Sequence, residues 1–168
     1  MPNFPDRLPG QTLAQECGLL RPTPGWWAWL GDAQVVAALL VAVPVWLLLG
    51  VAVGGRMHLV VGWSAWISFA LVQPNAEELV FRGVLQGQLL RWNAARRAGP
   101  VTLANLATTA AFVALHFLNQ PPGWALAVAL PSLLFGHLRE RWGSLLPAVA
   151  LHGFYNAGFA LTAWWVHR

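Results

Sequence analysis

The run from Ala33 to Val53 is the feature that most constrains how this chain can fold, because none of its residues is ionisable. At 1.5 Å per residue, an α-helix of that length covers about 32 Å, which is enough to cross one hydrocarbon core. The composition agrees, since 57% of the residues are hydrophobic and 10% are charged, with a mean hydropathy of +0.54. Soluble domains carry roughly 25% charged residues. We therefore exclude a soluble globular protein and predict an all-α bundle of five or six transmembrane helices.

The other predicted helices follow from the positions of proline, glycine and charge. Gly54 and Gly55 end the first helix, and Pro74 ends the second, because proline lacks the amide hydrogen that an interior helical turn needs. Asn75 is a favourable N-cap for the third helix. The helices predicted after the first cover residues 58–73, 75–92, 101–118, 124–138 and 143–166. Together they form one transmembrane domain, residues 33–168.

Residues 1–32 are predicted to form an N-terminal interfacial arm. Prolines and acidic residues interrupt them, which argues against a secretory signal. Trp26, Trp27 and Trp29 stand just before the first apolar run, where indole rings favour the headgroup level. A second interface is expected at residues 139–141, where two arginines flank a glutamate. Arginine-bearing loops are expected on the cytoplasmic side of the membrane.

The charges and the lone cysteine exclude several classes of partner. All ten basic residues are arginine, the net charge is +4, and no run of like charge suggests a nucleic-acid partner. Cys17 has no second cysteine with which to form an internal disulfide. The expected partners are the lipid bilayer and a membrane-anchored protein or peptide substrate. A lysine-free chain rich in alanine, leucine, tryptophan and arginine is typical of a GC-rich bacterial genome, so we predict a multi-pass protein of the bacterial inner membrane.

A few polar side chains lie inside the predicted helices, where an ionisable group costs about 2.5–3.5 kcal/mol. Glu78 and Arg82 are spaced i, i+4, so we assign them to a structural ion pair. Glu77 points about 100° further round the helix and is the freer carboxylate, suited to act as a general base. His116 is predicted at the same depth on the antiparallel neighbouring helix. His152 and Asn156 share a face of the last helix as two hydrogen-bond donors for a developing oxyanion.

Three segments that contain these residues resemble the motifs of the CAAX-protease and bacteriocin-processing family of intramembrane proteases. The segments are Glu77–Gly83, Phe112–His116 and His152–Asn156, and the resemblance covers about residues 74–157. It implies a glutamate-dependent endopeptidase in which Glu77 and His116 activate a water. By the same resemblance, His152 and Asn156 stabilise the tetrahedral intermediate, and Arg82 pairs with Glu78. No cofactor is implied.

Short bacterial members of that family suggest what the substrate is. Some are implicated in bacteriocin immunity, and others in removing C-terminal membrane anchors from sorted proteins, as in the JDVT-type sorting system. Three alternatives stay open at the level of sequence. They are a non-catalytic membrane binding or immunity protein, a proton-coupled transporter, and a zinc-dependent protease with Glu77, His116 and His152 as the metal ligands.

Overall fold

The computed structural model describes residues 12–22, 25–92 and 96–168. Its helices are α1 (Leu13–Glu16), α2 (Ala33–Val53), α3 (residues 63–91), α4 (Leu103–His116), α5 (Pro122–Ala127), α6 (Ala129–Trp142) and α7 (Leu146–Val166). Short 3-10 helices lie at Ala28–Gly31 and Gly54–Arg56, and Arg97–Ala98 pairs antiparallel with Val101–Thr102 in a small hairpin. The predicted all-α fold is confirmed. The first eleven residues of the predicted interfacial arm, and Thr23 and Pro24, lie outside the described residues.

Helix α2 has the bounds that the sequence predicts, because Asp32 caps it. The Asp32 carboxylate accepts a hydrogen bond from the Gln34 amide at 2.9 Å and pairs with Arg141 at 2.7 Å. Burial opposes the charged form of Asp32, but these hydrogen bonds hold its pKa below the usual range. Residues Ala33–Arg56, with a mean hydropathy of 2.7 over an 18-residue window, form the one helix in the described residues that is long and apolar enough to cross a membrane.

Helix α3 does not break at Pro74, so the predicted boundary between a second and a third helix is wrong. The chain stays helical through α-helical segments and two π-helical ones, Ser68–Val72 and Leu79–Leu85. In the first π-helical segment the Gln73 amide donates five residues back, to the Ser68 carbonyl. With the same five-residue spacing, the donor for the Phe69 carbonyl would be the backbone nitrogen of Pro74. That nitrogen carries no hydrogen, so it cannot donate. The Asn156 side chain supplies that hydrogen bond instead, at 2.9 Å.

Helix α6 also runs further than predicted. It continues through residues 139–141 to Trp142, so the charged triplet lies in the last helical turn and not in a loop. Gly143 ends the helix with a left-handed φ of 61°, a conformation that glycine adopts without a steric penalty. Helix α4 starts two residues later than predicted because Val101–Thr102 pairs with the preceding strand and Thr102 caps the helix.

The central element of the bundle is α7, which packs against α2, α3 and α6. Two glycines on α7 allow this close approach. A Cβ at Gly153 would lie 2.6 Å from the Ala70 carbonyl oxygen of α3, and one at Gly158 would overlap the Trp46 ring of α2. Small residues at such contacts are typical of helix packing in membranes. The core cluster lies beside them and comprises Trp29, Val35, Ala38, Phe135, Leu138, Ala148 and Leu151.

We expect Gly158→Ala to lower the free energy of unfolding by about 1–3 kcal/mol, because the added methyl group must displace Trp46. Gly123 of α5 is the matched control, since a Cβ there meets nothing within 4 Å. Gly123→Ala should be neutral or stabilise the protein by up to about 1 kcal/mol. Thermal unfolding of the purified variants in detergent measures both changes. Equal unfolding temperatures for Gly158→Ala and the wild type would contradict the packing described here.

Candidate active site

Glu78 is the centre of a buried polar cluster that joins α3 to α7. The side chain is fully buried, and its Oε1 atom accepts hydrogen bonds from Arg82 NH1 at 3.1 Å and from His152 Nδ1 at 2.8 Å. The predicted ion pair between Glu78 and Arg82 is therefore present. Neither charge is solvated, so each depends on the other to offset the cost of burial.

Arg82 is held by groups from two further helices. Its NH2 atom donates to the Ser132 hydroxyl at 2.7 Å and to the Ser132 carbonyl at 3.2 Å, both on α6. The guanidinium carbon lies 4.5 Å from the ring centroid of Phe112 on α4 and 5.6 Å from that of Phe135 on α6. Such cation–π contacts are strongest where the cation is desolvated, as it is here. Arg82 thus ties α3, α4 and α6 together around Glu78.

The imidazole of His152 is fixed in orientation, with one nitrogen directed at each glutamate. Nδ1 donates to the buried Glu78 carboxylate, and the ring stacks on Phe135 with centroids 4.9 Å apart and planes at 19°. The other nitrogen, Nε2, lies 3.8 Å from Glu77 Oε2. That separation is too long for a direct hydrogen bond. The Glu77 side chain is 32% exposed, so it is the more accessible of the two carboxylates.

His116 lies at the end of α4, where its described contacts are with Phe112. Nδ1 donates to the Phe112 carbonyl at 2.9 Å, which leaves Nε2 as the ring atom free to accept a proton. The Phe81 and Phe112 rings meet with centroids 5.0 Å apart. Glu77 precedes Phe81 by one turn, and His116 follows Phe112 by one turn on the antiparallel helix. The register therefore puts Glu77 and His116 at the same level of the bundle.

Asn156 is predicted to donate to an oxyanion, and in the structure its side chain donates to a backbone carbonyl of α3. Its Nδ2 atom donates to the backbone of α3, at the Phe69 carbonyl that Pro74 leaves without a partner. This bond gives Asn156 a structural task, which is to hold α3 and α7 together one turn beyond His152. Its predicted part in stabilising an oxyanion stays a prediction.

We expect Asn156→Ala to lower the free energy of unfolding by about 1–3 kcal/mol, because it leaves the part-buried Phe69 carbonyl without a donor. Asn75 offers a matched control, since its exposed side-chain amide donates to the Leu71 carbonyl at 2.8 Å. That bond lies within α3 and joins no second helix, so Asn75→Ala should cost less than about 0.5 kcal/mol. Unfolding in denaturant measures both. A variant at Asn156 that keeps full stability and loses turnover would instead favour the oxyanion role.

The zinc alternative finds no ligand set in the part of the chain that the structure describes. No three histidine, cysteine, aspartate or glutamate side chains there are arranged to hold one metal ion. His152 and His116 each donate through Nδ1, to Glu78 and to the Phe112 carbonyl, which leaves both Nε2 atoms without a described hydrogen-bond partner. The zinc alternative therefore stays a prediction, and we derive no step through a metal.

Two residues of the cluster were missed by sequence reasoning. Ser132 and Phe135 come from α6, which carries none of the three motifs. A serine within an apolar helix is a weak signal by itself, because most such hydroxyls bind their own helix backbone. The Ser132 hydroxyl instead continues the network by donating to Thr109 Oγ1 at 2.9 Å. Only the packing of α6 on α4 brings these groups together.

The comparisons with known proteins bear on the whole cluster. The family model for Type II CAAX prenyl endopeptidase Rce1-like proteins matches residues 59–158. That range includes both glutamates, both histidines of the cluster and Asn156. No curated protein and no solved structure matches the chain. Because the matched residues make up more than half of the sequence, the chain belongs to the Type II CAAX prenyl endopeptidase Rce1-like family of membrane-embedded peptide hydrolases.

Proposed function

We propose that this protein is a glutamate-dependent intramembrane endopeptidase that hydrolyses a peptide bond with a water activated by Glu77. The observation that carries the proposal is the 3.8 Å separation between Glu77 Oε2 and His152 Nε2. It sets a carboxylate and an imidazole side by side without a direct hydrogen bond between them. Both atoms are therefore available to a water and to the substrate carbonyl.

The accessible carboxylate, Glu77, is the general base of the proposed reaction. One O–H bond of the water breaks as its proton moves to Glu77 Oε2, and the water oxygen forms a bond to the carbonyl carbon of the substrate. The carbonyl π electrons move to the oxygen as an oxyanion. When the intermediate collapses, the C–N bond breaks and Glu77 returns the proton to the leaving amine nitrogen. The carboxylate is then regenerated for the next turnover.

His152 is the proposed donor to the oxyanion. With both ring nitrogens protonated, Nδ1 donates to Glu78 and Nε2 donates to the developing negative charge. The buried Glu78 carboxylate fixes the orientation of the ring, as an acid beside a catalytic histidine does in other hydrolases. Arg82 balances the charge of Glu78 in turn. The ion pair is thus a positioning device for His152.

His116 is the proposed second partner of the water. Its Nδ1 hydrogen is committed to the Phe112 carbonyl, so Nε2 is an acceptor for the water hydrogen that Glu77 does not take. Its register level with Glu77 supports this assignment. His116→Gln should lower turnover less than Glu77→Gln does, because an amide oxygen still accepts a hydrogen bond.

The proposed substrate is a membrane-anchored bacterial protein that is trimmed or sorted at its C-terminus, and the proposed location is the bacterial inner membrane, with several helices crossing it. Glu77 lies midway between Trp63 and Arg91, the two ends of α3. This position supports the proposal that the scissile bond lies in or beside the membrane anchor of the substrate.

Comparative proteomics of membrane and secreted fractions tests the substrate class. Cells carrying the wild type should contain at least one membrane-anchored protein with a shortened C-terminus, and cells carrying Glu77→Gln should keep it at full length. Asp32→Asn is the matched control, because it also converts an acid to an amide but preserves an N-cap residue at α2. Identical C-termini in wild-type and Glu77→Gln cells would contradict the proposal.

A further inference from the structure

A basic pocket of about 460 Å³ lies at the end of the bundle where α3 and α6 end. It is separate from the Glu77 and His152 cluster. Its lining residues are Leu90, Arg97, His137, Arg139, Glu140 and Arg141. Three arginines thus surround a single glutamate. The Glu140 carboxylate is already held by two donors, Gln86 Nε2 at 2.7 Å and Thr102 Oγ1 at 2.6 Å.

The pocket lies at the level where the membrane-crossing helix α2 begins. Asp32, the N-cap of α2, accepts two hydrogen bonds from Arg141, at 2.9 and 2.7 Å. His137 donates Nε2 to Gln34 in the first turn of α2, at 2.8 Å. Because α2 enters the hydrocarbon at this level, the arginines of the pocket stand at the height of the lipid headgroups.

Arg139 contributes a buried guanidinium to the lining of the pocket. The residue is 6% exposed, its NH2 atom donates to the Glu16 carbonyl at 2.5 Å, and its Nε atom lies against Gly18, where an added Cβ would come within 2.6 Å of it. Arg97, by contrast, is exposed and donates NH1 to the Pro100 carbonyl at 3.0 Å. The exposed guanidinium can donate hydrogen bonds to an anion, and the buried one beside it adds positive charge that favours an anion.

We propose that this pocket binds the phosphate headgroup of an anionic phospholipid. Guanidinium groups match the geometry of phosphate oxygens, and basic pockets between helices on one membrane face are where anionic headgroups bind. A zwitterionic headgroup carries its own cation, which the excess of arginine over glutamate in the lining disfavours. Leu90, at the C-terminal end of α3, gives the start of an acyl chain an apolar neighbour. A lipid bound there contacts the ends of both α3 and α6 and holds them together. These are the two helices that supply Glu78, Arg82 and Ser132.

Native mass spectrometry of the delipidated protein, titrated with phosphatidylglycerol or phosphatidylcholine, tests this proposal. The wild type should retain phosphatidylglycerol in preference to phosphatidylcholine. Arg97→Gln should weaken phosphatidylglycerol binding about fivefold, the effect of one arginine near an anionic headgroup. Arg97→Lys keeps the positive charge but loses the planar guanidinium that donates two hydrogen bonds at once. Its affinity for phosphatidylglycerol should therefore fall between those of the wild type and Arg97→Gln. Arg56→Gln removes the same charge from an exposed residue beyond the other end of α2 and should bind like the wild type.

Three results would overturn the inference. Equal retention of the two lipids by the wild type would show that no anionic headgroup is selected. An equal loss in Arg56→Gln and Arg97→Gln would assign the effect to overall charge. Displacement of phosphatidylglycerol by an equimolar amount of inorganic phosphate would assign the pocket to a free anion. None of these readouts depends on peptide hydrolysis, so they test lipid binding independently of the proposed function.

Discussion

Glu77→Gln should lower kcat for peptide hydrolysis by about 10²- to 10⁴-fold and leave KM nearly unchanged, because it removes the general base and keeps the shape of the side chain. Glu77 accepts no hydrogen bond within the described contacts; its nearest charged partner is His152 Nε2, at 3.8 Å. Losing that contact costs little stability, since the side chain is 32% exposed. The loss of activity should therefore appear in a protein that unfolds at the wild-type temperature.

Turnover of a membrane-anchored peptide in proteoliposomes, together with substrate binding and thermal unfolding, measures these effects. Asp32→Asn is the control and should keep wild-type kcat. The same experiment separates the alternatives that the sequence leaves open. A binding or immunity protein would bind its partner equally well with glutamine at position 77, and a transporter would lose uptake without any change in peptide cleavage. Full hydrolytic activity in Glu77→Gln would remove the proposed mechanism.

Much of this fold is predictable because the signals are local. Ala33–Val53 is a helix with the predicted bounds, since an uncharged run of that length and an aspartate at its N-cap both act within a few residues. The ion pair of Glu78 with Arg82 follows from spacing alone, because residues four apart meet on one helix face. The motif resemblance likewise anticipated the family to which the chain belongs.

The differences between prediction and structure arise where distant residues decide a local conformation. Pro74 ends a helix in isolation, but here Asn156, far along the chain, satisfies the carbonyl that the proline leaves open. No local rule supplies that bond. The same holds for Ser132, whose hydroxyl accepts from Arg82 and donates to Thr109.

Glu78→Gln and Arg82→Met should each lower the free energy of unfolding by about 3–5 kcal/mol, because each leaves the other charge buried without its ion partner. Both side chains of this pair are fully buried. The pair of Arg91 with Glu16, at 3.3 Å, provides the contrast, because the Arg91 side chain is 30% exposed. Arg91→Gln should cost less than either buried variant, about 1 kcal/mol, since this pair is only partly removed from solvent.

The double variant that combines Glu78→Gln with Arg82→Met distinguishes a charge effect from lost packing. It removes both buried charges at once, so its loss of stability should be smaller than the sum of the two single losses, and the difference measures their coupling.

The double variant should not regain turnover, even though it regains part of the lost stability, because turnover also depends on how His152 is held. Glutamine keeps an oxygen that can accept from His152 Nδ1, but its amide can also turn its NH2 group towards the ring, so the orientation of His152 is no longer fixed. Unfolding in denaturant and single-turnover hydrolysis, measured on all four proteins, test both statements. Additive losses would mean that the two side chains stabilise the bundle by volume alone, and a double variant with wild-type turnover would remove Glu78 from the positioning of His152.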